Sequence, residues 1–124
     1  MSQPLVSIGT RAYNAEKTIV QTIESVLSQS MSDFEYWIIN NGSTDRTGEI
    51  LDQYAAKDKR IHVIHSEVNH PFVYLLGILV ERGQGQYFML LDSDDWLEQD
   101  FIRELYNHAI LYKLDIAVST PEFI

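Results

Sequence analysis

The sequence predicts an α/β domain built on a mostly parallel sheet with helices on both faces. Three observations carry that expectation. Short runs rich in β-branched and aromatic residues alternate with longer amphipathic segments along the 124 residues. The short runs are continuously apolar, as strands covered on both faces are, rather than alternating apolar with polar. The polar clusters "RAYN", "NNGSTD" and "DSDD" stand just after three of those runs, and in parallel α/β sheets ligands bind at the carboxyl ends of strands.

Each element has its own warrant. Residues 5–8 read as a first strand. Asn14 is a candidate N-cap for a helix reaching about residue 29, with Ile19, Ile23, Val26 and Leu27 at helical spacing. "FEYWII", 34–39, is the second strand. "NGST" then turns the chain, and Ser43 or Thr44 is placed to cap a helix carrying Ile50, Leu51 and Tyr54. "IHVIH", 61–65, is the third strand. A helix over 71–82 ends at "GQG", "YFMLL" (87–91) is the fourth strand, a helix covers 97–112, and "DIAVS" (115–119) is a fifth strand. The whole chain, 1–124, is expected to form a single domain, with no repeat and no internal linker.

Composition narrows the function. Eighteen Asp and Glu against nine Lys and Arg give a net charge of −9, which argues against a nucleic-acid groove, since that needs a basic face. An anionic ligand would have to be approached through a cation. There is no cysteine, so neither a disulfide nor a thiolate metal site is available. The histidines, at 62, 65, 70 and 108, lack metal-ligand spacing. No apolar window is long enough to span a membrane, and the first residues lack the basic start and apolar stretch of a signal peptide. A cytoplasmic setting is the resulting expectation.

The acidic cluster after the fourth strand asks for an explanation, because Asp92, Asp94 and Asp95 repel one another. Either Asp94 or Asp95 caps the following helix, or Asp92 and Asp94 offer oxygens to one hard cation. Mg²⁺ or Mn²⁺ suits the second arrangement, held by carboxylates together with substrate phosphates. In "NNGSTD", Asn40 or Asn41 either belongs to the turn or hydrogen-bonds a base edge, an amide being both donor and acceptor. Tyr13 either stacks on that base or packs.

In combination, "YNAEKTI", "SVLSQS", "DFE", "GSTDRT" and "LDSDDW" resemble the first half of family 2 glycosyltransferases of the GT-A fold, over nearly the whole chain. The resemblance implies a Rossmann-like half that binds a nucleotide-diphosphate sugar, of uridine type, through a divalent metal, Mn²⁺ or Mg²⁺. It places Tyr13, Asn40, Asn41, Asp92 and Ser93 at the nucleotide sugar, and Asp92, Asp94 and Asp95 at the metal. Tyr13 matches the family's stacking tyrosine, Asn41 the second residue of its Asp-Asp-Gly-Ser, and Asp92 with Asp94 its DxD pair. Departures accompany the match. Gly9, Thr10, Arg11 and Ala12 stand where the family writes two hydrophobic residues, Pro and Thr. Asn40-Asn41 replace Asp-Asp, and no arginine stands in "VYLLGILVERG" where the family's diphosphate arginine falls.

The family's acceptor-binding half, with its base, is expected to be missing from these residues, so no base is nominated and the isolated chain is expected to transfer no sugar. The rival expectation is a non-catalytic, degenerate nucleotide-sugar-binding or assembly module. A phospho-acceptor signalling domain would need acids after strands one and three, where Arg11-Ala12 and His65-Ser66 stand instead. The greasy "FVYLLGILV" suggests burial against a partner chain, hence a homodimer.

Overall fold

The computed structural model describes residues 3–111. Their element order is β1 (Val6–Ala12), α1 (Ile19–Leu27), β2 (Phe34–Asn41), α2 (Thr47–Lys57), β3 (Ile61–Ser66), α3 (Phe72–Arg82), β4 (Tyr87–Leu90) and α4 (Phe101–Leu111). The four strands form one parallel sheet in the order β3-β2-β1-β4. The α/β alternation and the parallel sheet are as expected. The strand expected over 115–119 and the end of the last helix lie outside the described residues.

Alternation along β2 shows why the strands read as continuous apolar runs. Tyr36 and Ile38 point into the larger core, with Ile8 of β1, Ile19, Ile23 and Val26 of α1, Leu51 of α2 and Ile102 of α4. Ile39, with Trp37 beside it, points the other way, into a smaller core formed with Leu75, Ile78 and Leu79 of α3. Both faces are buried, so both registers are mostly apolar, and the buried polar Ser7, Thr10 and Glu35 are hydrogen-bonded. Gly9 serves the second face: a Cβ there would lie 2.7 Å from Leu79 Cδ1, so its lack of a side chain lets α3 sit close against β1. Leu75, Ile78 and Leu79 of the apolar α3 sequence are thus explained within the chain, whereas Phe72, Val73, Tyr74, Leu76 and Val80 are exposed, Val73 and Val80 most, at 65% and 71%.

Several boundaries differ from the sequence expectation. Helix α1 begins at Ile19 with Thr18 in the N-cap position, not Asn14. Asn14 instead takes a positive φ of 47° and its Oδ1 accepts from the Thr44 amide at 2.8 Å. Neither Ser43 nor Thr44 caps α2; the Asp45 carboxylate accepts from the Thr47 amide and hydroxyl at 2.9 and 2.6 Å. Burial pushes the Asp45 pKa up, but these bonds outweigh it and hold the carboxyl below its ordinary value. Strands β1 and β2 run on to Ala12 and Asn41, which puts Asn40 and Asn41 in the sheet rather than in a turn. The last helix starts at Phe101, not at residue 97.

Candidate functional site

Parallel pairing of β1 with β4 brings two loops to the same end of the sheet. Gly9 is in register with Leu90, and the Leu91 amide donates to the Gly9 carbonyl at 2.9 Å. The next residues on each chain, Arg11 to Asn14 and Asp92 to Asp94, therefore emerge side by side. Between them lies a pocket of about 370 Å³ whose walls include Arg11, Tyr13, Asp92, Ser93 and Asp94, with Phe72 from the start of α3.

One carboxylate oxygen from each of Asp92, Asp94 and Asp95 lies within 4.8 Å of the others, and all three residues are exposed. The Asp95 amide donates to the Asp92 carbonyl at 3.2 Å, closing a turn. Burial, then the neighbouring Asp94 and Asp92 charges, raise the Asp95 pKa. Capping does not explain the cluster, because α4 starts six residues beyond Asp95. Three hard oxygen donors within 4.8 Å of one another are of the type that suits a divalent cation such as Mg²⁺ or Mn²⁺.

Helix α1 holds this loop in place. Thr18 Oγ1 and Thr22 Oγ1 each lie 2.9 Å from the Ser93 carbonyl, and Thr22 Oγ1 also lies 2.6 Å from the Asp95 carbonyl. One turn on, Ser25 Oγ accepts from the Leu97 amide at 3.0 Å. Gln29 donates to the Glu98 carbonyl at 2.5 Å and accepts from the Ile102 amide at 3.0 Å. Residues 18, 22, 25 and 29 share one helical face, and that polar stripe was the unread signal in the sequence.

The loop after β2 braces the site without lining the pocket. Its Ser43 hydroxyl accepts from the Asn14 amide at 3.0 Å. The Asn40 amide nitrogen faces His65 Nδ1 at 3.0 Å, and its oxygen accepts from the Ser43 amide at 3.3 Å. Asn41 is buried; it accepts from the His70 amide at 2.7 Å and donates to the His70 carbonyl at 3.0 Å. Of the expected residues, Tyr13, Asp92, Ser93 and Asp94 share the pocket, Asp95 adjoins them, and Asn40 and Asn41 stand behind it. Arg11, part of the "RAYN" cluster expected at the strand ends but not among the expected site residues, also faces the pocket. Its Nη1 donates to the His70 carbonyl at 3.3 Å and its guanidinium sits 5.5 Å from the Phe72 ring centre.

Residues 7–124 match the profile described as Glycosyl transferase family 2. TuaG of Bacillus subtilis (strain 168), assigned as a teichuronic acid biosynthesis glycosyltransferase, is 44% identical over 98 residues, which are 79% of this chain and 39% of TuaG. The chain thus spans about two fifths of that relative. Staphylococcus aureus TarS 1–349, solved in complex with UDP-GlcNAc, superposes with a TM-score of 0.78 at 23% identity, over 88% of this chain and 32% of that one. The mannosyltransferase PcManGT of Pyrobaculum calidifontis, solved with GDP-Man and Mn²⁺, gives 0.67 at 16% identity, over 77% and 29%. At these identities the structural likeness establishes the fold, which is the GT-A, Rossmann-like one.

Proposed function

The chain belongs to glycosyl transferase family 2, and from that premise we propose that its pocket binds a nucleotide-diphosphate sugar of uridine type through Mn²⁺ or Mg²⁺. In a complete protein this would serve glycosyl transfer to an acceptor hydroxyl. The observation that carries the reading is the cluster of three carboxylates, two of them, Asp92 and Asp94, in a pocket that also presents Tyr13 and Arg11. Asp92 and Asp94 would hold the metal, with Asp95 beside them. When bound, the cation supplies the positive charge that draws in and stabilises a diphosphate, including as a leaving group. Half-exposed Tyr13 offers its ring to the base. Arg11 offers unspent N–H donors to phosphate oxygens, a planar fork matched to that geometry. Asn41, which spends one of its two N–H donors and one of its two acceptor lone pairs on His70, would contact the base edge, with Asn40 setting the loop beside it. The described residues contain no helix long and apolar enough to cross a membrane.

Calorimetry with uridine diphosphate tests the reading. Binding should be measurable with Mn²⁺ and nearly absent with chelator. Asp94→Asn should weaken the Mn²⁺-dependent component by roughly tenfold or more, since an amide is a poor ligand for a hard ion. Wild type and variant both ignoring the metal would sink it. We also propose that a second copy covers the outward face of α3, where Val73 and Val80 stand exposed. Light scattering should then show a dimer that Val80→Asp dissociates; a wild-type monomer at high micromolar concentration would refute this.

A further inference from the structure

We propose that Thr22 is the positioning residue of the acidic loop, its buried hydroxyl fixing the Asp95 peptide, beside the Ser93 peptide that Thr18 holds, so that the carboxylates of Asp92, Asp94 and Asp95 stay together for a divalent cation. The inference rests on the divalent-cation reading above and names a residue outside the ligand set.

Thr22 has no exposed surface, yet its hydroxyl reaches two carbonyls more than seventy residues away in sequence, at 2.9 and 2.6 Å. Proton counting orders these bonds. A hydroxyl has one proton to donate. Thr18 Oγ1 is placed to supply one to the Ser93 carbonyl at 2.9 Å, and the Thr22 proton takes its shortest contact, to Asp95 at 2.6 Å, ahead of the Ser93 and Thr18 carbonyls at 2.9 and 3.3 Å. Two hydroxyls one turn apart on α1 thus serve two carbonyls on alternate residues of the loop. Those carbonyls flank Asp94 and set the peptide planes from which the carboxylates project. Without a cation the three carboxylates repel one another, and an unanchored loop would relax by spreading them. The anchor lies on the buried side of a helix that Ile19, Ile23 and Val26, its neighbours on that side, lock into the main core, so the loop inherits the rigidity of the core. A binding site gains affinity when its geometry is set before the ligand arrives.

Thr22→Val keeps the shape and deletes the hydroxyl; Thr22→Ser keeps the hydroxyl. Ser7→Ala is the control, because Ser7 is equally buried and bonds Glu35 and the Gly85 amide at the opposite end of the strands. Mn²⁺ titration calorimetry on the full 124-residue chain should show Thr22→Val binding at least fivefold more weakly and Thr22→Ser within twofold of wild type. Ser7→Ala should melt lower without a change in Mn²⁺ affinity. In chelator, amide hydrogen exchange at Asp95 and Leu97 should quicken in Thr22→Val and not in Thr22→Ser. If Thr22→Val does not fold, Thr18→Val, which removes the Ser93 bond and a longer 3.5 Å one to the Ala15 carbonyl, should still weaken Mn²⁺ by twofold or more. Wild-type Mn²⁺ affinity in Thr22→Val overturns the inference and leaves the cation reading standing. A wild type that ignores Mn²⁺ overturns the cation reading, and the role of Thr22 toward a cation falls with it. Unchanged exchange at Asp95 and Leu97 in Thr22→Val overturns the anchoring itself.

Discussion

Arg11 is the one positive charge among the residues that line the pocket, and its bonding leaves it free to act. A guanidinium has five N–H donors; Arg11 spends one, at 3.3 Å, on the His70 carbonyl and lies over Phe72. No carboxylate pairs with it among the described residues. Arg11→Met keeps the stem that packs on Phe72 and should weaken uridine diphosphate binding by about tenfold or more, while leaving binding of uridine unchanged. Calorimetry with both ligands checks this, and an equal loss for the two would mean the residue only shapes the pocket. Asp58 makes a separate prediction at this scale. Its hydrogen bond to Arg60 holds its carboxyl below the ordinary value, against burial, and the Arg60 Nη2 to Asp58 Oδ2 distance is 2.8 Å. A depressed folded pKa stabilises above the unfolded value, about 3.9, and that contribution is lost as pH falls through the folded one. Asp58→Asn should therefore cost stability at pH 7, by up to about 1 kcal/mol, with the difference fading below about pH 4; denaturant melts at both pH values measure it.

Element types were legible in the sequence, while several element boundaries were not, and the reason is the same at each miss. Asn14 reads as an N-cap by every local rule, but its oxygen is taken by Thr44, thirty residues on. Residues 97–100 read as the start of a helix, yet the Leu97 amide and the Glu98 carbonyl bond Ser25 and Gln29, and the Gln99 carbonyl accepts from the Ser30 amide at 2.8 Å. These backbone groups are satisfied across the fold, so they need no helix, and α4 waits until Phe101. Periodicity sees only neighbours in sequence. Packing of α3 on β1 gives this scale its prediction. Gly9→Val would set its Cβ 2.7 Å from one Leu79 methyl and 3.1 Å from Leu75 Cδ1. Both leucines are buried, so they cannot swing clear. The substitution should destabilise by about 1–3 kcal/mol in thermal or denaturant melts, even though valine favours strands; a neutral result would mean that α3 shifts freely on the sheet.

At the scale of the whole molecule, strand order puts the pocket where it is. The chain lays β2 and β3 to one side of β1 and β4 to the other, so the strand order reverses between β1 and β4, and a crevice opens at such a switch point. The sequence disclosed which strand ends carry polar residues but not which strands are neighbours, since pairing is a long-range property. It did disclose the field: the protein carries a net charge of −9, with three carboxylates converging at this crevice. A uridine diphosphate anion approaching without a divalent ion meets repulsion from both. Added monovalent salt screens that repulsion, so residual binding measured in chelator should strengthen as ionic strength rises. If Mn²⁺ is held by the carboxylates and draws in the diphosphate as proposed, the local interaction should become attractive, and the same salt should weaken binding. The two salt dependences should thus have opposite signs. Calorimetry across a sodium chloride series, with chelator and with Mn²⁺, reads both slopes, and slopes of the same sign would mean that the cation does not bridge protein and diphosphate.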